Sequence, residues 1–400
     1  MAMIKTIYQK IILPACSVIL LLCLSTFSGQ VFYEDNLPQA VIIFPLNNLS
    51  VQQDTDWISI GLQDSLTVDF NYLPSFQTDD LGGIKQNIQI LCPGMKIRCV
   101  TQQSLSNWQA MAKQQQRQFF LWGDYKITGE NAILHLNWYK TGNDNPIIER
   151  IWQGNLTNLL AAASTETLAI LKQLSVPISQ KQRALIQKIK TESIGAWQYN
   201  ALGYWAQQKY SNLSVKKDKL ESEWKALLYQ SVTVDKTYAE AWNNLGWYFF
   251  FINSSEAKNA FSMALKYNPD LMAALDRLSY VHFKNSNYHL ALPVIEKAVL
   301  LNPDIDRYDF LSRIHTKLGN TKEARINSNK AVVMSFSLKI LKHKIASPND
   351  PLKLAAIYRG LGNFYLNKGL SSKAIDPIKQ ALSIVKQNSP LNFVVLASLY

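Results

Sequence analysis

Charge is scarce in this chain, and so are the residues that interrupt a fold. Asp, Glu, Lys and Arg make up 18% of its 400 residues against 48% hydrophobic, with 16 Gly and 14 Pro. That composition excludes extended disorder, a collagen-like repeat and a long coiled coil. Motifs of common chemistry are missing as well: the sequence has no Gly-rich phosphate loop, no His-Glu-x-x-His and no serine in a nucleophile elbow. Adjacent acids such as Asp79-Asp80 read as solvated loop residues, since nothing gives them the paired geometry of acid/base work. An envelope hydrolase would therefore need a catalytic set that the sequence does not supply. What is present suffices for two or three domains, and 10 Trp, 18 Tyr and 16 Phe suit packed helices and hairpins.

No apolar run reaches the roughly 20 residues of a spanning helix. The longest, Ile11 to Leu24, follows Lys5 and Lys10, contains Pro14, and leads into Ser25, Thr26, Ser28 and Gly29. Residues 1–28 thus read as a secretory signal peptide cleaved after Ser28, with Ser25 the second choice. An uncleaved leader would anchor the chain, and neither Cys16 nor Cys23 sits in a convincing lipidation site. The expected location is the periplasm or cell envelope, with inner-membrane anchoring if the leader stays.

Residues 30–180 carry 9 Lys and Arg against 13 Asp and Glu, a net of −4, whereas residues 181–400 carry 30 against 16, a net of +14. A basic second half can meet nucleic acid, anionic lipid or an acidic protein. Its cations are scattered without a run of five, so they read as solvated helix faces, and no nucleic-acid partner is expected. Removal of the leader leaves two cysteines, Cys92 and Cys99. An even pair in an oxidising compartment predicts a disulfide around Pro93-Gly94, one that holds a surface excursion rather than the core. A metal site would lack nearby His, and six intervening residues are too many for a redox motif.

Val41 to Leu46 is a continuous apolar run, as in a buried strand, and Trp57, Ile60, Leu62, Leu66 and Phe70 recur at helical spacing over Asp56 to Leu73. A helix over Leu105 to Gln116 is followed by three strands, Phe119 to Thr128, Ala132 to Tyr139 and Ile147 to Trp152, with Gly129 and Gly142 in the turns. His135 alternates with Leu134 and Leu136 and is read as a surface residue. Leu156 to Leu174 closes the domain as a helix. This order, with Phe44-Pro45-Leu46-Asn47-Asn48-Leu49-Ser50, Gly61-Leu62 and Phe119-Phe120-Leu121-Trp122-Gly123, resembles the TolB amino-terminal-like domain, also found in FlgO-like proteins and in the periplasmic halves of CadC-like regulators. The resemblance covers residues 37–178 and implies a module of envelope or sensory proteins with no catalytic residues to transfer.

The second half repeats itself. Trp242, Leu245, Gly246 and Phe249 precede Ala257, Phe261, Ala264 and Pro269; Leu275, Leu278, Ser279 and His282 precede Ala291, Ile295, Ala298 and Pro303, 34 residues after the previous proline. A third unit has Tyr308, Leu311, His315, Ala324 and Ala331, and a fourth Tyr358, Leu361, Gly362, Tyr365, Ala374, Ile378 and Ala381. The units resemble tetratricopeptide repeats, small residues marking close helix crossings. Leu202-Gly203 and Leu228 suggest a degenerate first repeat stretched by the polar insertion Ser211 to Glu221. Lys342 to Pro351 is expected to interrupt the superhelix, and Asn392 to Tyr400 to begin another first helix. The expected fold is an α/β amino-terminal domain followed by an all-α solenoid over residues 193–400.

First helices of such repeats line the concave face. Their inward positions map to Asn243, Trp247 and Phe250, then Asp276, Tyr280 and Phe283, then Asp309, Arg313 and Lys317, then Arg359, Asn363 and Asn367. An aromatic groove grading into a basic one suits a protein or peptide partner, with Arg and Lys selecting an acidic one; the rival is internal packing. His282 and His315 are equivalent in adjacent repeats but lack a third ligand, so no metal or other cofactor is expected. The function expected from these features is a non-enzymatic envelope scaffold, and the alternative is a membrane-anchored sensory or regulatory protein of the CadC-like type.

Overall fold

A computed structural model describes residues 39–51, 53–79, 81–210, 217–347 and 349–388. The leader, Asp80 and the segment Asn392 to Tyr400 lie outside the described residues. No helix among them is long and apolar enough to cross a membrane.

The chain opens with a mixed sheet. Strands β1 (Gln39–Ile43), β3 (Phe76–Asp79), β4 (Phe119–Thr128), β5 (Asn131–Lys140) and β6 (Ile148–Asn155) lie in the order β3-β1-β4-β5-β6, with the two-residue β2 (Asn47–Asn48) beside β4. Pairing is parallel among β1, β2, β3 and β4, and antiparallel from β4 to β6. Alternation sends Leu134, Leu136 and Trp138 to one face, where α1 (Trp57–Phe70) and α5 (Leu159–Gln173) cover them. Phe120 and Tyr139 point to the other, against α2 (Leu81–Leu91), the short α3 (Ile97–Val100) and α4 (Leu105–Gln114). His135 lies on that second face, its Nδ1 3.0 Å from Asp124 Oδ1, with both side chains partly exposed. Cys92 and Cys99 are bonded, but the expected surface excursion is corrected: Cys92 is buried with Met95 and Trp108, because α2 and α3 bracket it against the sheet.

The repeats follow as antiparallel helix pairs: α7 (Ile194–Tyr210) with α8 (Lys217–Val234), α9 (Ala239–Phe251) with α10 (Glu256–Tyr267), α11 (Met272–Lys284) with α12 (Tyr288–Leu301), α13 (Ile305–Lys317) with α14 (Thr321–Ala346), and α15 (Pro351–Asn367) with α16 (Ser371–Asn388). Glycines mark the crossings. A Cβ on Gly203 would stand 2.7 Å from Leu228, one on Gly246 2.6 Å from Phe261, and one on Gly362 2.6 Å from Ile378. Two expectations change. Helix α8 already begins at Lys217, so the insertion is shorter than Ser211 to Glu221. The extra length in the 50-residue interval from Ala331 to Ala381 is taken up by α14, which is 26 residues long, and the chain turns only after Ala346.

Layer and array share one core. Helix α1 is buried on nearly all sides because α7 covers what the sheet and α5 leave, with Trp197 edge-on to Trp57 at 4.9 Å and seated over Gly61. The short α6 (Gln180–Gln187) leads to Lys190, which donates to Asp69 Oδ1 at 2.8 Å and to Ser164 Oγ at 3.0 Å. The linkers between repeats also touch the layer: Asn268 donates to the Tyr72 hydroxyl, and Asn302 to the Asn71 carbonyl.

Candidate protein-binding surface

The side chains that helix pairing leaves over on α9, α11 and α13 meet one another. Trp247 stacks on Phe250 at 5.4 Å, Phe250 meets Tyr280 at 5.7 Å, Tyr280 meets Phe310 at 5.9 Å, and Phe310 meets Phe283 at 5.1 Å. The result is an unbroken row of rings across three consecutive first helices, all within the distances at which aromatic pairs attract. Tyr280, at its centre, is 45% exposed.

Cations cap the row. The Arg277 guanidinium lies 4.7 Å from the Trp247 ring, Lys284 Nζ 5.1 Å from Phe250, and Arg313 5.2 Å from Phe283 and 5.7 Å from Phe310. Such stacking holds a cation near an apolar surface while leaving its remaining donors for another group. Lys317 is exposed one helical turn beyond Arg313.

The sequence-mapped positions divide accordingly. Trp247, Phe250, Tyr280, Phe283 and Arg313 come together. Asn243 does not reach an open surface: it is 5% exposed, and its Nδ2 donates to Asn244, which in turn donates to Asn200 of α7. Asp276 is held by Arg307 through two bonds of 2.9 and 2.8 Å. Asp309 is exposed and takes no place in the row; its neighbour Phe310 does. Arg359, Asn363 and Asn367 lie on α15, where Phe364 pairs with Phe336 of α14 at 6.4 Å and starts a separate, smaller cluster. Phe310, Arg277 and Lys284 escaped the sequence mapping. A signal existed in the constant interval of 30 from Phe250 to Tyr280 to Phe310, three short of the 33 that relates equivalent positions such as Trp247 and Tyr280. Neighbouring first helices touch one turn out of step, so contacts follow the shorter interval.

The two repeat histidines face inward. His282 is buried with Nδ1 unpartnered, and burial, followed by nearby Lys258, lowers its pKa; His315 Nδ1 lies 3.3 Å from Asn320 Nδ2. Both fill the core position of their helix pair. Among the described residues no three His, Cys, Asp or Glu side chains gather as metal ligands.

No family model matches the chain, and no curated protein matches it. Solved structures do. A MamA from Desulfovibrio magneticus RS-1, residue 41 to its end, is 18% identical with a TM-score of 0.29, covering 49% of this chain and 98% of its own. YrrB, described as a tetratricopeptide-repeat protein with an unusual peptide-binding site, is 20% identical with a TM-score of 0.30, covering 55% of this chain and 97% of its own. A further MamA crystal structure is 17% identical at a TM-score of 0.29, with 49% and 95% covered.

Proposed function

We propose that this chain is an exported, non-enzymatic scaffold that holds an extended, acidic polypeptide along the row from Trp247 to Phe283. The observation that carries the reading is the continuity of that row over three repeats with a cation on its rings at each step. A partner's apolar side chains lie between the rings, and its carboxylates pair with Lys284 and Arg313. In this reading the sheet layer is a TolB-like module that supports the array.

A photo-crosslinking residue at position 280 in intact cells tests it. One discrete partner protein is the expected product; crosslinks only to the chain's own sheet layer would mean that the row is internal packing. Trp247→Ala and Arg313→Glu should each weaken capture about tenfold or more, as for anchors at the centre of an interface, while far-UV circular dichroism stays unchanged. Unaltered capture in both variants would move the binding surface elsewhere.

Export supports the same reading through the leader and the bonded Cys92–Cys99 pair, which fits an oxidising compartment. Intact mass of the purified protein should show a chain beginning at Gly29. A mass that retains residues 1–28 would instead make the protein membrane-anchored.

A further inference from the structure

Within every helix pair the chain runs out along one helix and back along the next, so the turns inside the pairs fall on one side of the array, the last of them opposite the middle of the long α14. Each of the last four turns presents large apolar side chains beside lysines. The first exposes Phe251 and Ile252 ahead of Lys258, and the second exposes Leu290 after Lys284. At the third, Ile326 stands out on the first turns of α14 with Lys322 and Arg325, and Lys317 ends the helix before it. The fourth carries most: Leu366, Leu370 and Ile375 alternate along the chain with Lys368 and Lys373, and Ile375 is half exposed.

The charge on this side of the chain is lopsided. Residues 310–388 contain 14 Lys and Arg against 3 Asp and Glu. Among the described residues Lys317, Lys322, Lys368 and Lys373 form no ion pair. Exposed leucines and isoleucines at turns are costly to leave in water, and lysines beside them can lay their stems along the same surface while the ammonium reaches outward.

We propose that this edge docks on an anionic lipid bilayer, its apolar side chains entering the boundary between headgroups and acyl chains and its lysines holding lipid phosphates. Charge selects this occupant. A second copy of the edge would set lysines against lysines. A nucleic acid would use the cations but leave Leu366, Leu370 and Ile375 without a role, since its affinity comes from phosphate contacts. A bilayer uses both, with electrostatic attraction and buried apolar area adding together. Lys284 borders both this edge and the aromatic row, whereas Leu366, Lys368, Leu370, Lys373 and Ile375 take no part in that row, so the proposal stands whether or not the row binds a polypeptide.

The test is co-sedimentation of the full chain with vesicles of phosphatidylcholine alone or mixed with phosphatidylglycerol, over a range of salt. Binding should require phosphatidylglycerol and weaken as salt rises. Lys368→Glu with Lys373→Glu should lower it on the order of tenfold. Leu366→Ser, Leu370→Ser and Ile375→Ser together should lower it most at high salt, where screening leaves the apolar part dominant. Any leader present is common to all the proteins compared, and every substitution is at a surface turn. Equal binding of the variants and the parent, or equal binding to neutral and anionic vesicles, overturns the proposal. So does binding of random-sequence duplex DNA in place of vesicles, which would make the edge a polyanion surface.

Discussion

Asp69→Ala should lower the unfolding free energy by about 3 to 5 kcal/mol, the range for removing one partner of a buried ion pair. Lys190 and Asp69 have side chains only 6% and 1% exposed, and Ser164 completes the cluster by donating to Asp69 Oδ2 at 2.6 Å. Removing the carboxylate strands the ammonium where water does not reach, with the Ser164 hydroxyl as its remaining hydrogen-bond partner and the Glu240 carboxyl as the acidic group still near it. Burial, the largest influence on Asp69, raises its pKa in spite of the Lys190 charge and the bonds from Lys190 and Ser164. The ion pair therefore does not fully offset the cost of dehydrating the acid. Asp69→Leu combined with Lys190→Met should accordingly come within about 1 to 2 kcal/mol of the parent, because apolar side chains replace both charges at once. Urea unfolding followed by tryptophan fluorescence separates the cases. Equal losses in the single and double variants would show that the pair stabilises by its own attraction. Since Lys190 precedes α7 and Asp69 lies on α1, the same experiment reports how firmly the array is held to the sheet layer.

The parts of this fold legible in the sequence are those whose cause is local. Strand β4 follows from its own alternation and from the turn at Gly129, and its ends at Phe119 and Thr128 coincide with those read from the pattern. Helices of the repeats follow from the small residues where they cross. Strand β3 was not legible because Phe76–Asp79 is short and polar; it exists by pairing with β1, from Gln39 opposite Phe76 to Ile42 opposite Asp79. Helix α2 begins with Leu81-Gly82-Gly83, which reads as a loop until the sheet and α4 give its apolar side a surface. The end of helix α14 was hidden for the opposite reason: a fixed repeat length made Lys342 to Ala346, which continue the helix, look like part of an interruption.

The aromatic row divides the same way. Trp247, Phe250, Tyr280 and Phe283 follow from repeat position alone. Asn243 and Asp276 hold repeat positions equivalent to one another, yet each is taken up by a neighbour that the repeat pattern does not encode, Asn244 in one case and Arg307 in the other. Both neighbours are polar and belong to this chain rather than to the repeat. Phe310 joined the row through the offset between adjacent first helices, a property of packing.

Gly123→Ala should cost about 3 kcal/mol or more, although it adds a single methyl group. Gly123 lies opposite Leu136 in the β4–β5 ladder, and a Cβ there would collide with the backbone carbonyl of His135. A side chain in that position could rotate away; a carbonyl in the middle of a ten-residue strand cannot, so the strands must separate or shift. Either movement disturbs Leu134, Leu136 and Trp138 on the face that carries α1, and α1 in turn supports Trp197 and the first repeat. Gly129 is the control. Its φ of +60° is left-handed, but a side chain there meets open space, so Gly129→Asn should cost less than about 1 kcal/mol. Thermal unfolding by circular dichroism compares the two, and crosslinking from position 280 shows how far the damage travels. If Gly123→Ala melts early and also abolishes crosslinking, the aromatic row depends on the sheet layer for its shape. If it melts early but crosslinks as before at low temperature, the helices from α9 onward hold the surface by their own packing. A variant as stable as the parent would mean that the close approach at Gly123 is relieved by a shift too small to loosen the sheet.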